Sequence, residues 1–182
     1  MNSIRLILIG VVLLFFPICL LGQQITDQAW QTEEDFRAVE PIVLENIEWL
    51  ENHPLATPSN DTKALTEYVL NWLSGTPYIA VKYDEIFLDR LANSKKYKFG
   101  EKFRITYLFG KSYYMINNQS EASEISACSR GIEGMVAVYA ELKKVDSSVH
   151  HGMLEKYSRL LKTGKLESYV KTTLEKEKND TL

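Results

Sequence analysis

The stretch Ile125–Leu142, ISACSRGIEGMVAVYAEL, decides the fold. Ile125, Cys128, Ile132, Met135, Tyr139 and Leu142 recur at alternating steps of three and four, which lines them along one side of an α-helix. A second stripe of smaller residues, Ala127, Gly131, Gly134 and Val138, runs beside the first. Glycine costs a helix about 1 kcal/mol relative to alanine, so two of them in mid-helix predict a neighbouring backbone packed very close. Upstream, Phe103, Ile105, Tyr107, Phe109, Gly110, Tyr113, Tyr114 and Ile116 cover a wide arc of another helix, and Arg104 and Lys111 mark its wet side. A helix apolar over so wide an arc is covered from two directions. The reading is a helical hairpin, Glu101 to Lys144, with the rest of the chain packed around it.

The flanking segments extend the helical pattern. Thr32 opens a helix whose first turn carries Glu33, Glu34 and Asp35, where the helix dipole favours negative charge. Phe36, Val39, Val43, Ile47 and Leu50 form its buried stripe, and Pro41 must either kink the helix or restart it. A second helix, about Asp61 to Ser74, stops at Gly75 and Pro77. Tyr78 to Tyr83 alternates like a strand, but no other segment offers a partner, so an extended connector over the core is expected. Asp84 then caps a short helix, and Asp146 to Ser148 turn the chain into two final helices separated by Gly164. The expectation is all-α: one compact domain of about six helices, an irregular bundle or a short superhelix of hairpins.

The N-terminus carries a different signal. Arg5 is the only charge before an almost unbroken apolar run, Leu6 to Leu21, and Gly22 is a small residue at which a signal peptidase could cut before Gln23. The run falls short of the ~20 apolar residues of a spanning helix. A cleaved signal peptide is therefore the preferred reading, ahead of an uncleaved anchor or a lipid on Cys19. The expected layout is residues 1–22 signal peptide, 23–31 polar lead-in, 32–175 helical domain and 176–182 charged tail. The protein is expected to be exported, periplasmic or secreted, and to meet a membrane only through an uncleaved leader.

Composition narrows the function classes. The chain carries 21 basic and 24 acidic residues, a net charge of −3 that becomes −4 once Arg5 is removed. That balance argues against nucleic acid as a partner. Of the two cysteines only Cys128 lies beyond the leader, so no intramolecular disulfide is expected in the mature chain. Cys128 reads as a packing thiol, because no His or Lys stands one helical turn away to activate it. His150 and His151 are adjacent and so diverge on a helix, with His53 far away; no metal site or cofactor is expected. No catalytic motif is present, and no catalytic residue can be named.

Two resemblances and one surface feature complete the reading. Phe109, Gly110, Tyr113 and Ala122 resemble the tetratricopeptide hairpin, from which Ser126, Ser129 and Gly134 depart, and no second copy follows. Trp49-Leu50 to Pro54, Tyr68-Val69-Leu70-Asn71-Trp72 and Gly75-Thr76-Pro77 resemble small, uncharacterised, exported all-helical proteins of Gram-negative bacteria. That resemblance implies location and fold but no site. Lys95, Lys96, Tyr97, Lys98 and Phe99 interleave basic and aromatic residues, which suits contact with an anionic surface or, alternatively, a solvated loop steered toward the acidic first helix. Two functions follow: a non-enzymatic binding or scaffold module of the cell envelope, its partner another envelope protein or an anionic surface, or a hydrolase-like enzyme whose carboxylates converge only in the fold.

Overall fold

Two helices set the frame, and every other element is placed by them. The computed structural model describes residues 30–54, 60–92 and 97–180. The expected signal peptide, its cut between Gly22 and Gln23, Lys95 and Lys96 all lie outside those residues. Among the described residues there are eight α-helices and no strand: α1 (Glu33–Ala38), α2 (Glu40–Asn52), α3 (Asn60–Gly75), α4 (Glu85–Ala92), α5 (Gly100–Asn118), α6 (Glu124–Val145), α7 (Gly152–Lys162) and α8 (Leu166–Asp180). The all-α, single-domain expectation holds.

The helix count exceeds the expected six partly because Pro41 restarts the chain instead of kinking it. α1 begins with a capping box, in which Thr32 Oγ1 accepts from Asp35 N and Asp35 Oδ2 accepts from Thr32 N. It closes at Ala38, and Pro41 sits in the first turn of α2, where its missing N–H costs nothing. The connector from Pro77 to Asp84 is extended and pairs with no strand. Gly164 adopts φ +65° after α7. Gly164 N donates to Leu161 O and Lys165 N to Leu160 O, the paired bonds of a Schellman stop. α8 continues through the expected charged tail as far as Asp180.

α5 and α6 form the predicted hairpin, and α5 is indeed covered from two sides. Its Phe103 and Tyr107 join a core with α4, α6, α7 and α8, built on Phe87, Ile132, Met135, Leu154 and Tyr157. Its Phe109 and Ile116 join a second core with α1, α2 and α3, built on Val43, Ile47, Val69 and Trp72. Long polar arms knit these layers. Trp72 Nε1 donates to Phe36 O at 3.0 Å and Tyr157 Oη to Phe87 O at 3.1 Å.

The two helices cross on glycine. A Cβ at Gly131 would meet Tyr107 O at 2.8 Å, and one at Gly110 would meet Arg130 O at 2.8 Å. This is the close backbone approach that the small-residue stripe implied. Gly134 differs: its Cβ would meet the Glu51 carboxylate of α2, Oε1 at 2.6 Å, a side chain and not a backbone.

Candidate functional site

The wet side assigned to α5 is wrong at Lys111, whose side chain is only 4 % exposed. Lys111 Nζ donates to Asp84 Oδ2 at 2.6 Å, and Tyr107 Oη donates to the same oxygen at 2.6 Å. The Cys128 thiol stands 3.5 Å from that oxygen, and Glu124 Oε1 lies 3.6 Å from the ammonium. The physical reason is that α5 has apolar neighbours on both sides, so a cation in mid-helix needs a buried counter-ion. Asp84 supplies it from the end of the connector, with its carboxylate turned inward to the hairpin.

These groups are tuned toward inertness. Burial alone would lower the Lys111 pKa, but the Asp84 hydrogen bond and the neighbouring negative groups outweigh it and raise it, so the amine stays charged. Burial pushes the Cys128 thiol up to about 11, against a weaker downward pull from Tyr107 and Lys111. Burial also drives Tyr107 far above the ordinary phenol range. A charged lysine and a protonated thiol offer no nucleophile near neutral pH. The packing role expected of Cys128 fits this geometry, although the lysine beside it comes from another helix. Asp84, Glu124 and Cys128 place their ligand atoms within 4.8 Å of one another. The Lys111 ammonium already serves both carboxylates, so the donor set is better read as the shell of an internal cation. A cavity of about 230 Å³ reaches this cluster from the side of Lys82, Met115 and Ser123.

A larger opening lies where the two cores meet. A cleft of about 390 Å³ separates α2 and α3 from α5 and α6, with Leu50, Ile105, Phe109 and Val138 supplying its apolar walls. Thr62 and Thr66 of α3 and Thr106 of α5 add hydroxyl-bearing positions. Thr66 Oγ1 donates to Thr62 O and Thr106 Oγ1 to Lys102 O, so both hydroxyl protons are used within their own helices.

Most charges at this cleft are matched. Glu51 is gripped by Arg130 of α6, Oε2 to Nη2 at 2.6 Å and Oε1 to Nη1 at 3.1 Å, the fork geometry that suits guanidinium and carboxylate. Glu67 pairs with Lys63 one turn away at 3.7 Å. His53 stacks on Trp49 at 4.3 Å, and its Nδ1 lies 2.8 Å from Trp49 O. A carbonyl only accepts, so Nδ1 carries the proton. Lys102 is the exception. It is half-buried, burial lowers its pKa, and among the described residues no carboxylate pairs with its Nζ.

The described part of the basic–aromatic segment, Tyr97 to Phe99, is held against the protein. Tyr97 Oη donates to Val149 O at 2.6 Å, and the ring stacks on Phe103 and abuts Phe99 and His151. Lys98 Nζ lies 2.9 Å from Asp146 Oδ2 and 4.8 Å from the Phe99 ring centroid. The partner of Lys98 is thus the turn after α6 and not the acidic first helix. His151 caps α7, its Nδ1 accepting from Met153 N at 3.3 Å, while His150 lies beside Glu155. Compared with known proteins, the chain matches no family model, no curated protein and no solved structure.

Proposed function

We propose that this chain is a non-enzymatic binding module of the cell envelope that takes a small ligand in the cleft between α2–α3 and α5–α6. The cleft itself carries the reading: its volume and its apolar walls with a few polar groups are those of small-molecule sites, which favour seams between helices. Export rests on the leader, Arg5 to Gly22. Against catalysis stand the charged Lys111, the protonated Cys128 and the pairing of both carboxylates that line the cleft. The test is titration of the purified protein with the apolar dye anilinonaphthalene sulfonate. Saturable one-to-one binding is expected, lost in Thr66→Trp, which fills the cleft from the half-buried face of α3 without entering the core. Circular dichroism and Tm should be unchanged in that variant. Weak, non-saturating binding equal in both proteins would refute the proposal.

A further inference from the structure

Resting on that reading of the cleft, the charge layout narrows the ligand class. Glu51 and Arg130 cancel, as do Lys63 and Glu67, and His53 turns its Nδ1 to the Trp49 carbonyl. What remains is one positive group, Lys102, beside an apolar floor. We propose that the cleft binds an amphipathic monoanion, a carboxylate with an aliphatic body, whose headgroup pairs with Lys102 and whose chain lies along Leu50, Ile105, Phe109 and Val138.

Three features support this assignment. Lys102 is the third residue of α5, in its first turn, so its aliphatic stem can lie along the cleft wall while the ammonium stays at the mouth. Its half-buried position makes an unpaired charge costly, since burial disfavours the ammonium and nothing in the described protein compensates. A bound carboxylate would supply the missing partner and lower that cost. The opposite ligand, an apolar cation, would meet Lys102 as a like charge and find both nearby carboxylates already taken. An uncharged apolar ligand would fit the floor but leave the ammonium unpaired.

Lys111 shows what the same helix does with a lysine that has a structural role. It too is removed from water, and the fold brings Asp84 to it at 2.6 Å. Among the described residues Lys102 has no such partner, which leaves room for a counter-charge brought by a ligand.

Calorimetric titration with decanoate, decanol and decylamine tests the assignment, using the purified parent, Lys102→Met, Lys102→Arg and Thr66→Trp. The parent should bind decanoate at least about tenfold more tightly than decanol, the ratio expected of one charge-assisted contact worth 1.4 kcal/mol, and decylamine most weakly. Lys102→Met keeps the apolar stem and should bind decanoate and decanol alike, while Lys102→Arg should restore the preference. Thr66→Trp should reduce binding of both. Equal affinity of the parent for decanoate and decanol, or a decanoate preference that survives Lys102→Met, would overturn the assignment while leaving the cleft a binding site. Failure of all three ligands to bind, with the dye also unbound, would remove the proposed function and this inference together.

Discussion

Replacing Lys111 by methionine is the sharpest test of how this fold is held together. The Lys111–Asp84 pair is nearly sealed, with side-chain exposures of 4 % and 12 %, so solvent screening discounts it little. At 2.6 Å and an effective dielectric near 20 the attraction is about 6 kcal/mol. Desolvating each ion costs several kcal/mol, so the intact pair comes close to breaking even. Removing one partner is different, because the Asp84 carboxylate stays buried without its cation. Lys111→Met should therefore destabilise the protein by about 3–5 kcal/mol. The lower end is favoured because Tyr107 Oη still donates to Asp84. For a domain of this size that corresponds to a Tm lower by roughly 6–20 °C. Urea melts at neutral pH should be run on Lys111→Met, Asp84→Asn and the double variant. The double variant should be more stable than the sum of the single losses predicts, because it removes the orphaned charge. Single losses below about 1 kcal/mol, or strictly additive ones, would show that the pair is an incidental contact and that the connector is held by packing alone.

Two further outcomes follow from the hairpin crossing and from the buried thiol. Gly131→Ala must displace Tyr107 backbone, and overpacking of that kind costs about 1–3 kcal/mol. Gly134→Ala meets side-chain ends alone, the Glu51 carboxylate and the Arg130 guanidinium, and gains up to about 1 kcal/mol of helix propensity, so it should cost less. Urea melts giving the reverse order would contradict the crossing geometry. Stability should also fall in the alkaline range. Cys128, with its folded pKa raised from 9.0 to about 11, contributes stability that is fully present below pH 9 and lost as pH rises toward 11. The loss is of the order of 2 kcal/mol, and Cys128→Ala should show a flatter decline over that window in pH-dependent melts. The upward shift of Tyr107 acts in the same direction, so the decline should be reduced in the variant and not abolished. A slope identical in both proteins would mean that the thiol is not desolvated.

What could be read from the sequence was what is decided locally. The period of Ile125 to Leu142 fixes a helix by itself, Pro41 requires a kink or a restart in the first helix, and Gly75 with Pro77 ends another. The extended connector was legible for the same reason, since no second segment existed to pair with Tyr78–Tyr83. The features that were missed depend on distant segments. Lys111 was assigned to water because a charge on a helix is usually solvated, and nothing near it in sequence announced Asp84, which the fold brings from the far end of the connector. The hint that was available lay in the arc of α5: a helix covered from two directions has little wet side left, so its one mid-helix cation was already short of solvent. Likewise, no lysine stands one turn from Cys128, yet the hairpin sets Lys111 beside it. Gly134 carried the right pattern and the wrong partner, because a small residue signals close approach but does not say whether backbone or side chain arrives.

The cleft was harder still, since its walls come from four helices and exist only once the two cores have met on α5. Lys102 follows the basic–aromatic run closely in sequence, and nothing local distinguishes it from the lysines there. Its position in the fold separates it from that run: Lys98 is answered by Asp146, whereas Lys102 faces apolar side chains with its charge uncancelled. Sequence alone treats the lysines of this region as equivalent. Their difference lies in whether the fold supplies a counter-charge. Where it does, as for Lys111, the cation fastens one segment to another and is finished with its work on folding. Where it does not among the described residues, as for Lys102, a half-buried charge is left without a counter-charge, and that is the cost the proposed anion would lower.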